Sequence, residues 1–381
     1  MLNNAFRVSI CSNIDGDLSD LIEEEVDGVK VKDKIADEYA ESIYYTRSNG
    51  EKKCYRLPFT SGIGGIFYNK KMFEENGWSV PTTFDELVAL CDQINAAKLA
   101  VAGTDDVAVK PFTYAGTDSD YFDYTVFDWW SQIVGKDAIK EFLKYESVNN
   151  FDVTKNSTYA ALKTATEKWY QLFHADSTYY VPNNNTTTAE NEQKQFINGY
   201  ATMMFNGDWL YNESLNYTDS GTFQNFELGL MKTPVLNEAN DAYVNTSYVI
   251  GEDQYIAIPA SSKKKDLAKS FIKAIISNDG CETFIKEAHG FLAYKADYNT
   301  MNIDNAYMQE VIKLRNQYTD KFTNFSSNRK YLCNYLDIWC SSDCRPFEPI
   351  LKKSISSVDV AFSNILKKAT SNWDRWTSQS K

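Results

Sequence analysis

Short apolar segments bounded by glycine and proline alternate with long stretches of helical periodicity, and this alternation limits the chain to the α/β class. Lys53-Cys54-Tyr55-Arg56-Leu57-Pro58 reads as a strand that ends at its proline, and Gly62-Ile63-Gly64-Gly65-Ile66-Phe67-Tyr68 as a second strand with a glycine-rich entry. The clearest helix opens at Thr83. Thr83-Phe84-Asp85-Glu86 forms a capping box behind Pro81, and Phe84, Leu87, Val88, Cys91 and Ile94 then follow the spacing of one buried face. A helix over 157–174 places Leu162, Ala165, Trp169, Leu172 and Phe173 on one side, with His174 at its end, where a cation suits the dipole. Residues 254–259 read as a strand, and Leu267, Ala268, Phe271, Ile272, Ile275 and Ile276 line the helix after it. Leu18, Leu21, Ile22 and Val26 suggest a short helix within 15–45, and the last quarter of the chain reads as wholly helical. A chain that returns late to the strand–helix style predicts two lobes, each built from discontinuous segments.

Composition excludes several classes of function. The net charge of −13 leaves no basic footprint for nucleic acid. No apolar run approaches the roughly 18 residues of a membrane span. The seven cysteines are odd in number and include no C-x-x-C pair, which argues against a disulfide framework and a structural zinc site. They read as small buried thiols, and only Cys340 and Cys344 are close enough in sequence to suggest a local bridge. The N-terminal Met1–Cys11 lacks the charged and apolar regions of a lipoprotein signal, and Ile10 stands where a small residue is needed.

Catalytic motifs are hard to find. With His174 and His289 as the only histidines and no G-x-S-x-G elbow, a Ser-His-Asp or Cys-His system has no framework. Gly62-Ile63-Gly64-Gly65 lacks the lysine of a P-loop, and Phe67 occupies the place of the third glycine of a dinucleotide fingerprint. It reads as a tight strand entry. No cofactor and no metal site is expected.

Two aromatic segments carry more. In Asn198-Gly199-Tyr200-Ala201-Thr202-Met203-Met204-Phe205-Asn206-Gly207-Asp208-Trp209, a helix carrying Phe196 and Ile197 stops at Gly199 and a strand over 201–205 follows. Asn206-Gly207 is expected to turn the chain, and Asp208 to cap a helix starting at Trp209. That indole leaves a strand at its carboxyl end, where open α/β sheets bind ligands; a core tryptophan beneath a turn is an equal reading. In the stretch from Tyr114 to Gln132, Trp129, Trp130 and Ile133 read as core, while Tyr121 and Tyr124, set among aspartates, face a cleft. Aromatic faces interleaved with carboxylates suit a sugar: rings cover its C–H face and acids take its hydroxyls.

Leu57-Pro58-Phe59-Thr60-Ser61-Gly62, Ile66-Phe67-Tyr68-Asn69-Lys70-Lys71-Met72-Phe73-Glu74 and Pro81-Thr82-Thr83-Phe84-Asp85-Glu86-Leu87 together resemble the signature of the extracellular solute-binding proteins of ABC transporters. The similarity is to the carbohydrate-binding, maltose-binding-protein-like group. Phe196–Trp209 is similar to that family's second hallmark, and Ile256-Ala257-Ile258-Pro259 with Lys265–Ile272 to its third.

The resemblance implies a two-lobe, periplasmic-binding-protein-like (type II) α/β fold with a helical C-terminal part. The lobes are expected at 1–110 with 237–287 and at 111–236 with 288–381, with crossovers near 105–115, 231–240 and 285–292. It implies that Trp209 is the aromatic platform and Asp208 a hydroxyl partner or cap, with Tyr124 and Tyr121 opposite. Thr60 and Ser61 would lie at the first lobe's rim, and Phe291 and Phe347 in later cleft-lining segments. The expected function is a non-catalytic sugar or oligosaccharide receptor that closes by hinge bending and delivers to the membrane permease subunits of an ABC importer. Such a receptor is a monomer, periplasmic or anchored outside a Gram-positive cell as a lipoprotein. The competing class is a carbohydrate-active enzyme such as a glycoside hydrolase, which also lines its cleft with aromatics and acids. Family members begin with an export signal and a strand–helix–strand unit ahead of the Leu-Pro strand. Neither is visible in the residues before Leu57, so the first lobe is expected to be N-terminally truncated.

Overall fold

The computed structural model describes residues 16–47, 49–104, 106–218, 226–250, 254–323 and 347–378. Its centre is a six-stranded mixed sheet. The strands are β1 (Gly62–Asn69), β2 (Lys110–Thr113), β3 (Ala201–Gly207), β4 (Leu228–Met231), β5 (Thr246–Ile250) and β6 (Asp320–Phe322). The sheet runs β6-β5-β1-β3-β2, and β4 also pairs with β1. β1 is antiparallel to β3, β4 and β5, whereas β2–β3 and β5–β6 are parallel.

The pleat sends alternate residues to opposite faces. Ile66, Met203, Phe205, Tyr248 and Phe322 join one core, and Ile63, Phe67, Met204 and Val249 join the other. Helices α1 (Phe84–Ala97), α2 (Asp123–Phe142) and α3 (Ser157–Phe173) supply the first core, with Trp129, Trp130 and Trp169 fully buried. Helices α4 (Ala189–Ile197), α5 (Leu210–Thr218), α6 (Lys265–Ile275), α7 (Asn278–Ala288) and α8 (Ala306–Gln317) contribute to the second, and α9 (Val358–Ser378) returns to the first.

The Thr83 cap and the buried face of α1 hold, whereas on α6 only Ile272 is buried and Leu267 and Phe271 stay exposed. The Thr83 capping box forms, with Thr83 accepting from the Glu86 N–H and the Glu86 carboxylate accepting from the Thr83 N–H. α3 ends at His174, and Cys54, Cys91 and Cys281 are free, buried thiols. Cys11, Cys333, Cys340 and Cys344 lie outside the described residues.

Several expectations are corrected. The strand over 53–58 is two pieces: Lys52–Cys54 pairs with Tyr44–Thr46, and Leu57–Pro58 pairs with Tyr255–Ile256. In place of one short helix through Leu18–Val26, the chain makes a 3-10 turn at Leu21–Glu23, a small antiparallel ladder of Glu25–Val26 with Val29–Lys30 and one α-helical turn at Val31–Lys34, although Leu18, Leu21, Ile22 and Val26 are all buried. β6 interrupts the C-terminal quarter expected to be helical. Asn206-Gly207 does not turn the chain, because β3 runs on through both residues, paired with Gly65 and Gly64 of β1. The sheet joins strands from both sides of 110/111. β1 lies before that line, yet it is the strand on which β3 and β4 assemble.

Candidate functional site

The site is built on glycines. Gly64 and Gly207 face each other across β1 and β3, with Gly62 two residues earlier on β1. A Cβ on Gly207 would sit 2.0 Å from Cζ3 of Trp209, and one on Gly62 would sit 3.1 Å from the same atom. A Cβ on Gly64 would sit 2.3 Å from Cβ of Tyr124. The bare backbone is thus the seat on which both aromatic side chains rest, the usual meaning of glycine inside a strand. Trp209 is partly exposed at the end of β3, just ahead of α5. Tyr124, in the first turn of α2, meets the indole edge-on at 5.5 Å and 88°. Tyr121, on the 3-10 turn Ser119–Phe122, meets Tyr124 at 5.6 Å and 77°. These three rings form one corner.

Beneath it lies a buried charge pair. Asp208 is 4 % exposed, and its Oδ2 accepts from the Ile63 N–H at 3.2 Å and faces Arg315 Nη1 at 3.6 Å. α5 begins at Leu210, one residue later than expected, and the Asp208 carboxylate reaches across the sheet to the Ile63 N–H. Burial pushes its carboxyl up to about 6, against the opposing pull of Arg315. Arg315, from α8, also donates to Ser61 O at 3.2 Å and Ser61 Oγ at 3.1 Å, and its guanidinium lies 4.2 Å above the Phe291 ring. This arginine therefore ties the strand-entry segment to the α7–α8 connection.

Thr60 and Ser61 sit where several segments meet. The Ser61 N–H donates to Phe291 O at 2.9 Å, Thr60 bridges Leu292, and the Phe59 N–H donates to Gln254 O at 3.1 Å. Thr60 Oγ1 also hydrogen-bonds Gln254. Phe291 is 2 % exposed, so it supports Arg315 rather than offering a free face.

Seven of the eight expected residues thus fall in one connected cluster. The exception is Phe347, which is 2 % exposed and packs 4.6 Å from Trp169 and 5.8 Å from Phe122 in the first core. Its ring is consumed by those contacts. Arg315, Gly64, Gly207 and Gln254 were not anticipated. Glycines inside apolar strands could have signalled the close approach of a ring; nothing in the local sequence marks Arg315, which lies 254 residues from the serine it binds.

No group of His, Cys, Asp or Glu among the described residues is arranged to hold a metal ion. No helix among them is long and apolar enough to cross a membrane.

Residues 11–280 match the bacterial extracellular solute-binding protein family, and the chain belongs to it. A multiple sugar-binding protein of Streptococcus mutans is 26 % identical over 224 residues, covering 58 % of this chain and 47 % of that protein. The chain spans about half the length of that relative.

Solved structures share the fold. A chitin oligosaccharide binding protein superposes with a TM-score of 0.69 at 18 % identity, over 98 % of this chain and 82 % of its own. The GacH receptor of Streptomyces glaucescens, studied unliganded and with acarbose, gives 0.66 at 18 %, over 99 % and 83 %. RafE in complex with raffinose gives 0.61 at 17 %, over 94 % and 82 %. The architecture is the two-lobed α/β fold of periplasmic solute-binding proteins.

Proposed function

We propose that the protein is a sugar or oligosaccharide receptor of an ABC importer, acting by hinge closure and without catalysis. The observation that carries this reading is the half-buried Trp209 indole, seated on Gly207 and Gly62 and squared against Tyr124, beside the Asp208–Arg315 pair. A flat apolar face beside fixed polar groups is what a pyranose needs: C–H groups stack on the ring and hydroxyls find oriented partners. The sugar-binding relatives support the ligand class.

The first lobe takes residues 16–47 and 49–60 with 254–293, and the second 62–104, 106–218, 226–250, 303–323 and 347–378. This division follows the pairings of Leu57–Pro58 with Tyr255–Ile256 and of β1 with β3. The hinge lies where Thr60-Ser61, Gln254 and Phe291-Leu292 are laced together by hydrogen bonds. A few such residues at element ends can absorb the change in φ and ψ on closure. Ligand selects the closed form by binding it better than the open one, and only the closed form docks productively on the permease subunits. The receptor works as a monomer outside the cytoplasmic membrane, lipid-anchored or periplasmic.

The test is Trp209→Ala. Isothermal titration with oligosaccharides should show affinity reduced about tenfold or more, equivalent to about 1.4 kcal/mol, with the unfolding transition retained. Unchanged affinity removes Trp209 from the site.

A further inference from the structure

The two most exposed large apolar side chains among the described residues stand together on α6. Leu267 is 69 % exposed and Phe271 65 %, whereas no other exceeds 44 %. They are one helical turn apart, so they share one side of the helix, and the exposed Ala274 continues that side. The opposite side is engaged. Ile272, and Ile276 just after the helix, are buried in the second core. Lys273 Nζ meets Glu24 Oε2 at 2.5 Å, and Lys269 pairs with Asp20. α6 is therefore seated on the body of the protein by one face and turns a second, apolar face outward.

The end of the helix nearest Leu267 is basic. Lys263, Lys264 and Lys265 are all exposed, and their ammonium groups meet no carboxylate among the described residues. The stretch 263–273 holds five lysines and one acid, Asp266, in a chain whose net charge is −13. So narrow a patch does not suit a folded partner: a stable protein interface engages roughly 20–30 residues a side, whereas this is one face of an 11-residue helix. A lipid surface asks for no such complementarity. Leucine and phenylalanine enter the acyl boundary while neighbouring ammonium groups meet anionic headgroups.

We propose that α6 is a membrane-contact surface, laying Leu267 and Phe271 on an anionic lipid bilayer with Lys263, Lys264 and Lys265 against its headgroups. The inference goes beyond the sugar reading and uses no residue of the aromatic corner. The net charge of −13 repels the molecule as a whole from such a bilayer, so attachment has to be local, through the one patch of opposite sign that also carries apolar side chains. With only two large side chains to insert, the contact is weak and reversible.

The experiment is co-sedimentation of the full chain with vesicles of phosphatidylcholine alone, and of phosphatidylcholine mixed equally with phosphatidylglycerol. The anionic vesicles should be bound about tenfold better or more, and the excess should shrink as salt rises from about 0.05 M to about 0.5 M. Leu267→Ser with Phe271→Ser should lower that binding about tenfold or more. Lys263→Ala, Lys264→Ala and Lys265→Ala together should do the same. All five positions are exposed, so the thermal unfolding transition stays in place in both variants. Equal binding of the two vesicle types, or binding that survives Leu267→Ser with Phe271→Ser, overturns the proposal. So does a dimer in light scattering that Phe271→Ser splits, in the absence of vesicle binding, since the face then joins two copies of the chain. Sugar affinity in the same variants should match the wild type, so this surface can fail while the receptor reading stands.

Discussion

Replacing Gly207 by alanine displaces the proposed platform without removing it. The added Cβ would lie 2.0, 2.1 and 2.5 Å from Cζ3, Cη2 and Cε3 of Trp209. Ordinary contact begins near 3.4 Å, so the ring must retreat by 3.4 − 2.0 = 1.4 Å at least. The backbone cannot give instead, since Gly207 is paired with Gly64 inside the sheet. The indole is only partly enclosed, so it can swing outward. We therefore expect a stability loss of about 1–2 kcal/mol, the lower part of the overpacking range. That figure includes the Tyr124–Trp209 edge contact, worth about 1 kcal/mol. Ligand affinity should fall about tenfold or more, because a platform displaced by over an ångström no longer meets the sugar face. Urea unfolding followed by circular dichroism measures the first quantity and isothermal titration the second. Lost stability with unaltered affinity would refute the role of the ring as platform. No change in either would refute the seating of Trp209 on Gly207.

Three further outcomes follow from the buried groups. Arg315→Met strands the Asp208 carboxylate, whose side chain is 6 % exposed, and should cost about 3–5 kcal/mol in urea unfolding at pH 8. Asp208 already has a raised carboxyl, so protonation relieves the deficit, and the gap from wild type should narrow as pH falls towards about 4. Asp128 is completely buried, accepts from Thr233 Oγ1 at 2.6 Å and the Tyr248 N–H at 2.7 Å, and is pushed up to about 7 by burial. A carboxyl raised on folding binds more protons folded than unfolded, so wild-type stability falls from about pH 4 to 7; Asp128→Asn should flatten that slope in urea midpoints measured across the range. Phe347→Leu should lower stability by about 1–3 kcal/mol yet leave ligand affinity within twofold, because its ring fills the Trp169–Phe122 core.

What the sequence made legible was local. The Thr83 box, the buried face of α1 and the apolar runs of β1 and β3 are short-range patterns, and each formed. The pairing of Gly64 with Gly207 spans more than a hundred residues and is set by which cores the two strand faces serve, which no local window contains. Asn206-Gly207 is favourable turn chemistry, but here glycine serves the approach of an indole, and sheet pairing overrides the turn preference. The Trp209, Tyr124 and Tyr121 grouping was readable from aromatic residues set among acids and from family likeness. Phe347 was not separable from a ligand-facing ring by spacing alone. Glu192 sits on a helix whose polar composition suggests solvent, and only the packing of α4 against its neighbours buries it.

The central claim is that a sugar lies against Trp209 between two lobes. A crystal structure of the protein with a bound oligosaccharide tests it most directly. The account predicts a pyranose in van der Waals contact with the Trp209 indole, with residues from both lobes around it. An ordered sugar bound elsewhere, with that indole uncovered, would contradict it.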